Sequence, residues 1–230
     1  MIGVFYGCTT RSDEKLKANL EKFFEKSGIE YVPMGTKLCC GATLLLAGYQ
    51  DEFIEQAKKV KAEIDQVDTV VTSCAHCYTI LSKEYEEFGI EVKPKILHIT
   101  EYVKQLLDEG KIKLKKTIDR RLAYHDPCYI GRESKGIYEE PRAILDAVAE
   151  ECVDFELNRQ YSTCCGGGGL VRAFLPKLSI EVAKEKIELQ AKPLDVEVIT
   201  SACPFCYQNL LEGAEGTGVE VFDFLEIVNQ

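Results

Sequence analysis

The sequence predicts an α/β fold made of two similar Rossmann-like halves related by internal duplication. Short β-rich runs alternate along the chain with segments whose apolar residues recur at helical spacing. A pattern of five cysteines occurs twice, once in each half. The length of 230 residues fits one large or two small domains, and 46% hydrophobic content suffices for a core without disulfides.

The individual elements follow from these periodicities. Strands are predicted in four short runs, at residues 2–6, 69–72, 122–124 and 196–200. Helices are predicted at residues 13–26, 52–64, 138–149 and 178–190. Alternation of the two types favours a mainly parallel sheet in each half. We therefore expect a first module at 1–110, a linker at 111–121 and a second module at 122–230.

The expected linker is a basic stretch. It contains six cations, which are Lys111, Lys113, Lys115, Lys116, Arg120 and Arg121. A docking patch for an acidic partner is one interpretation, but runs of charge usually form a solvated surface, and that interpretation is favoured.

The repeated cysteine pattern is a single cysteine, a Cys-Cys-Gly triplet and a Cys-x-x-Cys motif. Ten of the eleven cysteines form two sets of five: Cys8, Cys39, Cys40, Cys74 and Cys77 in the first half, and Cys128, Cys164, Cys165, Cys203 and Cys206 in the second. The eleventh, Cys152, lies outside the pattern and is interpreted as a small buried apolar residue.

The spacing places each set beside predicted strand ends. Cys8, Cys74, Cys128 and Cys203 each follow a predicted strand, and the carboxyl ends of parallel strands open onto one crevice. Each Cys-x-x-Cys is expected to open a helix, where free N–H groups and the helix dipole favour thiolates. The glycines that follow the Cys-Cys pairs, Gly41 and the run Gly166, Gly167, Gly168 and Gly169, supply backbone N–H groups that can approach sulfur closely.

The number of thiols in each set indicates which kind of metal centre it can bind. Tetrahedral zinc uses four ligands, so a fifth cysteine per half is better suited to a cluster of several metal atoms. Zinc at one site stays open as an alternative, as does a thioredoxin-like dithiol. The glycine run does not fit the dinucleotide fingerprint G-x-G-x-x-G, because Val171 occupies its last position.

Composition narrows the location and the partners. A net charge of −10 disfavours nucleic acid. The longest aliphatic run, at residues 44–47, is far shorter than the roughly 18 residues of a membrane span, and no leader is evident. We expect a cytoplasmic protein, because in a reducing compartment cysteine clusters more often bind metal or do redox chemistry than form disulfides.

Three histidines are candidates for proton chemistry. His125 precedes Cys128 by three residues and is the predicted catalytic proton donor, with Asp126 orienting it. A structural hydrogen bond at the strand end is the alternative role of His125. His76 lies between Cys74 and Cys77 and faces either the site or solvent, and His98 is expected to be an ordinary, partly buried histidine.

Several segments together resemble a known family. They are Tyr124-His125-Asp126-Pro127-Cys128, Cys164-Cys165-Gly166-Gly167-Gly168 and Ala202-Cys203-Pro204-Phe205-Cys206. With the repeated pattern, they resemble the cysteine-rich CCG domain of heterodisulfide reductase catalytic subunits and related iron–sulfur oxidoreductases.

The resemblance implies one noncubane 4Fe-4S cluster on each set of five cysteines, with the clusters between the two halves. It implies a cytosolic oxidoreductase subunit that reduces a small disulfide of the CoM-S-S-CoB heterodisulfide type. Because no ferredoxin-like repeat is present, a separate ferredoxin-like subunit is the expected electron donor. The alternatives are a non-catalytic electron-transfer subunit of a lactate, glycerol-3-phosphate or succinate dehydrogenase type of complex, and a zinc-binding CCG protein.

Overall fold

The computed structural model describes residues 1–230 and contains two four-stranded parallel sheets. The first sheet holds β1 Ile2–Phe5, β2 Val32–Met34, β3 Thr69–Thr72 and β4 Lys95–His98, in the order β2-β1-β3-β4. The second holds β5 Leu122–Tyr124, β6 Cys152–Val153, β7 Val198–Ser201 and β8 Glu220–Asp223, in the order β6-β5-β7-β8. The two halves therefore share one topology, as the duplicated α/β prediction requires.

Helices connect the strands of both sheets. Those of the first half are α1 Cys8–Ser12, α2 Glu14–Ser27, α3 Ala42–Leu46, α4 Gln50–Ile64, α5 Ala75–Thr79, α6 Tyr85–Glu87 and α7 Ile99–Asp108. Those of the second half are α8 Glu139–Val148, α9 Val171–Phe174, α10 Pro176–Lys186, α11 Pro204–Gly213 and α12 Phe224–Val228. Single π turns lie at Ile80–Glu84 and Ile187–Ala191, and 3-10 turns at Arg159–Tyr161 and Lys192–Leu194.

The predicted elements form the centre of each half. The four predicted helices are α2, α4, α8 and α10, and the last of these ends as a π turn rather than an α-helix. The four predicted strands are β1, β3, β5 and β7, the inner pair of each sheet. None of the edge strands was predicted: β6 has only two residues, and β2 contains Pro33, which an edge strand tolerates. The other two, β4 and β8, are four residues long.

The halves pack against each other through equivalent elements. Helix α2 packs on α12, and α7 packs on α8. By position in the repeat, α8 corresponds to α2 and α12 to α7, so the same pairing occurs twice. Both hydrophobic cores contain residues from both halves. This is the arrangement that a two-fold relation between duplicated modules produces.

The basic stretch at 111–121 runs between the two sheets. Ile118 within it is buried and bridges to Ala149. Lys116, Arg120 and Arg121 pair with glutamates of the second half. These internal partners favour a solvated connecting segment, and the module boundaries around it stay a prediction.

No helix in the protein combines the length and the apolar character that crossing a bilayer requires.

Candidate metal centres

The strand order creates a crevice in each half. In the first sheet the chain leaves β1 toward β2 and leaves β3 toward β4, so the point between β1 and β3 is a topological switch point. Cys8 opens α1 directly after β1, and Cys74 is the N-cap of α5 directly after β3. Cys203 holds the equivalent N-cap position before α11, with Pro204 as its first helical residue.

The first set of five cysteines is gathered around this switch point. The Sγ atoms of Cys40 and Cys77 are 3.4 Å apart. The Cys8 thiol hydrogen-bonds with that of Cys39. Cys40, Cys74 and Cys77 are buried, while Cys8 and Cys39 are half-buried at the edge.

The second set repeats the arrangement. The Sγ atoms of Cys165 and Cys206 are 3.2 Å apart, close to the distance between their counterparts Cys40 and Cys77. Cys203 lies next to Cys206. Cys128 is half-buried close to Cys203 and Cys165, and Cys164 is exposed.

The two sets meet at one point. Cys74 and Cys203 are equivalent residues of the two Cys-x-x-Cys motifs, and their thiols lie close enough across the contact between the halves for each to shift the pKa of the other. Proximity of equivalent residues is what a two-fold relation between the halves produces.

Hydrogen bonds between the thiols lower the pKa of some cysteines of each set and raise the pKa of others. The thiols of Cys39 and Cys77 donate to Cys40 and lower its pKa to about 5. In the second half, the thiols of Cys164 and Cys206 hold the pKa of Cys165 well below its usual range. Conversely, the pKa of Cys77 is raised through its bond with Cys40. The pKa of Cys74 is also lowered well below its usual range, through hydrogen bonding to Cys203 and Cys77, so the first set favours more than one thiolate. A bound cation would displace the remaining protons.

The glycines after each Cys-Cys pair direct backbone N–H groups at sulfur. The Gly41 amide lies 3.5 Å from Cys39 Sγ, and the Gly166 amide lies 3.3 Å from Cys164 Sγ. The Gly167 amide lies 3.4 Å from Cys165 Sγ, whereas Gly168 makes no such contact. Gly41 and Gly166 have φ values of 91° and 85°, a backbone conformation that favours glycine.

Buried side chains that the sequence did not indicate hold both Cys-Cys pairs. Tyr85 Oη donates to the carbonyl oxygen of Cys40 at 2.8 Å. Asn209 Nδ2 donates to the carbonyl oxygen of Cys165 at 2.6 Å. A polar residue on the buried face of α11 was the only available signal for Asn209, because its partners are distant in sequence.

Two arginines also brace the loops that lead to the pairs. Arg11 donates to the carbonyl oxygen of Leu38 at 3.0 Å, and Arg132 donates to that of Ser162 at 2.7 Å. Arg11 follows Cys8 by a few residues, and Arg132 follows Cys128 in the same way. The two hydrogen bonds are therefore equivalent parts of the repeat.

His125 lies beside the second set, as its proximity to Cys128 suggested. Its imidazole and the Sγ atoms of Cys165 and Cys206 all lie within 4.8 Å of one another. Its Nδ1 atom is buried without a hydrogen-bond partner. The expectation that Asp126 orients His125 is wrong, because the Asp126 carboxylate is bound at both oxygens by Arg142, at 2.7 and 2.8 Å.

The other two histidines take different positions. His76 faces the site: it lines the central cavity and stacks on Tyr129 at 3.8 Å between ring centroids, and burial lowers its pKa to about 4. His98 is completely buried rather than partly so. Its ring caps α7, and burial lowers its pKa to about 3.

Cys152 lies apart from both sets. It is half-buried in the edge strand β6, and burial raises its pKa to about 12. The charged groups that act on it are Asp146, Asp154 and Arg142, none of them a thiol. Cys152 is therefore separate from the ten cysteines of the two sets.

A cavity of about 400 Å³ opens between the halves at the first set. All five cysteines of this set line it from one side. The other half contributes the glycine run at 167–169, Phe205 and Arg172. Most of the lining is apolar, and Arg172 is already paired with Glu212. The cavity is therefore large enough for a small organic molecule next to the thiols.

The fold and the thiols define a class of protein: a duplicated α/β protein in which cysteines of each half lie around a topological switch point. The family model of the cysteine-rich domain CCG matches residues 2–82 and 122–211. The chain belongs to this CCG family, as the sequence resemblance indicated, and contains two copies of the domain.

Two of the similar proteins are components of oxidoreductases. The chain is 32% identical to a component of the dihydromethanophenazine:CoB–CoM heterodisulfide reductase of Methanosarcina acetivorans, over 98% of this chain and 58% of that protein. It is 32% identical to a component of the fumarate reductase (CoM/CoB) of Methanothermobacter marburgensis, over 99% of this chain and 46% of that protein. The chain thus spans about half the length of these relatives.

Among solved structures, the aspartate racemase of Picrophilus torridus matches 99% of this chain and 90% of its own, with a TM-score of 0.45 and 13% identity.

Proposed function

We propose that this chain is an iron–sulfur oxidoreductase subunit that reduces a small disulfide of the heterodisulfide type. One observation carries the proposal: two sets of five thiols, gathered by the same topology, meet at Cys74 and Cys203 beside a cavity that both halves line. The oxidoreductase names of the relatives support it.

The residues present fit iron–sulfur clusters better than zinc. Each set offers one thiol more than a tetrahedral ion uses. Amides of Gly41, Gly166 and Gly167 already point at cysteine sulfurs, which is the kind of donor that stabilises clustered sulfur charge. We infer that the ten cysteines of the two sets would hold two noncubane 4Fe-4S clusters.

Disulfide reduction consumes two electrons and two protons and releases two thiols. When bound, the two clusters supply one electron each. The cavity at the first set would hold the disulfide, and its lining of Leu46, Leu170 and Phe205 would exclude water from the sulfur atoms. The electrons would come from a separate ferredoxin-like subunit, and we propose a cytoplasmic complex.

The experiment is purification without oxygen, followed by iron, sulfide and zinc analysis and an assay with reduced methyl viologen and CoM-S-S-CoB. We expect iron and sulfide in equal amounts, disulfide-dependent oxidation of the viologen, and an EPR signal that depends on the disulfide. Zinc without iron would overturn the proposal. Iron without any response to the disulfide would favour the non-catalytic electron-transfer role instead.

His125 is the proposed proton donor at the second set. It is buried next to Cys165 and Cys206, and its free Nδ1 can hold a proton that no neighbouring residue claims. We expect His125→Gln to slow disulfide reduction by about 10²-fold or more, with bound iron unchanged. Loss of iron from this variant would show that the residue is structural.

A further inference from the structure

Lys186 at the end of α10 is the one buried lysine of the protein, with 3% of its surface exposed. Its Nζ donates to Thr163 Oγ1 at 2.9 Å and to Gln190 Oε1 at 3.2 Å, and lies 4.8 Å from the centre of the Phe155 ring. None of these groups carries a negative charge. Lysine is rarely buried without an anion, because removing an ammonium from water is costly.

The acidic groups that act on Lys186 belong mainly to the second set of cysteines. They are the thiols of Cys165, Cys206 and Cys164, with the Asp126 carboxylate, and Asp126 is already bound by Arg142. Its anchor Thr163 immediately precedes Cys164. Burial lowers the pKa of Lys186 to about 8, so the ammonium is still mostly charged at neutral pH. The structure therefore places a positive charge next to the residue that precedes Cys164, at the edge of the second set.

The first half has no equivalent charge. Its helix α4, which corresponds to α10, buries only apolar side chains: Phe53, Ala57, Val60 and Ile64. No lysine or arginine of the first half is buried. Arg11 and Arg132 occur as a matched pair, so they do not distinguish the sites. Lys186 breaks the electrostatic symmetry of the duplication.

We propose that Lys186 makes the second site the more easily reduced of the two, so that electrons collect there. This inference rests on the proposed iron–sulfur function. A nearby cation stabilises the more negative, reduced form of a metal centre, and the effect is strong where water is excluded. Removing the charge should lower the midpoint potential of the second site and leave that of the first site where it is.

The test measures potentials site by site. Cys40→Ser would leave only the second site loaded, and Cys165→Ser only the first. In the Cys40→Ser background, we expect Lys186→Met to disfavour reduction about tenfold, a fall of about 59 mV for one electron in an EPR-monitored redox titration. In the Cys165→Ser background the same change should have no effect. Methionine keeps most of the side-chain volume, so folding should survive.

Two control variants separate the charge of Lys186 from its position. Lys184→Met removes the same charge from an exposed position of α10 and should leave both potentials unchanged. Lys186→Arg keeps the charge and should restore the potential. An unchanged potential in Lys186→Met, or equal shifts in both backgrounds, would refute the role of Lys186 while iron analysis still supports the clusters. Absence of iron from the unmodified protein would remove both proposals.

Discussion

Cys165→Ser should remove the second metal centre and leave the first intact. Cys165 carries the most readily formed thiolate of its set, it lies 3.2 Å from Cys206, and its sulfur receives the Gly167 amide. Serine keeps the shape of the side chain but replaces the soft thiolate that iron–sulfur chemistry requires. We expect bound iron and sulfide to fall by about half and disulfide reduction to be lost.

The repeat supplies matched controls for this result. Cys40→Ser, the equivalent change in the first half, should remove the other half of the iron, and the double variant should bind none. Cys152→Ser alters a cysteine that lies outside both sets and should keep full iron and activity. Full iron in Cys165→Ser, or a loss of iron in Cys152→Ser, would contradict the assignment of five cysteines to each site.

The sequence predicted the parts of the fold that repeat locally. The helical spacing of Phe53, Ala57, Val60 and Ile64 predicts α4 because one face of a helix must be apolar to pack on a sheet. Each inner strand is followed by a cysteine, so parallel topology predicted that Cys8 and Cys74, and likewise Cys128 and Cys203, lie at the same edge of their sheet. The repeat also predicted that the halves are alike, but not that Cys74 and Cys203 lie close together.

The sequence could not predict the residues that position the cysteines, and the reason is physical. Tyr85 is 45 positions from Cys40, and Asn209 is 44 positions from Cys165, so their hydrogen bonds depend on tertiary packing. Gly7 is another such case: an added Cβ there would lie 2.9 Å from Cys77 Sγ, although the two residues are remote in sequence. Patterns of period 2 or 3.6 carry no information about such contacts.

The assignment of Asp126 to His125 failed for a related reason. The His125 amide continues the parallel ladder by donating to the carbonyl oxygen of Thr200 at 2.9 Å, so the backbone here is extended. Successive side chains of an extended segment point to opposite sides. His125 consequently faces the thiols, while Asp126 faces Arg142 of α8. The two side chains point apart because they are neighbours on an extended backbone.

Asp126→Ala should be among the most destabilising single changes in the protein. Asp126 and Arg142 are buried, the two side chains make paired hydrogen bonds, and the Asp126 carboxylate also accepts the Arg159 amide at 2.8 Å. The change leaves the Arg142 guanidinium buried with the more exposed Asp154 as its only acidic partner. Breaking a buried ion pair in this way costs about 3 kcal/mol, measured as the free energy of unfolding in urea.

The double variant Asp126→Ala with Arg142→Met identifies the origin of that cost. If it comes from an unpaired buried charge, removing the guanidinium as well should recover part of the lost stability, since methionine fills much of the same space. Asp154→Ala is the matched control: its side chain also contacts Arg142 but is 37% exposed, so it should cost about 1 kcal/mol or less. A double variant less stable than Asp126→Ala would show instead that Arg142 supports the fold mainly through packing and its bond to the Tyr138 carbonyl oxygen at 2.7 Å.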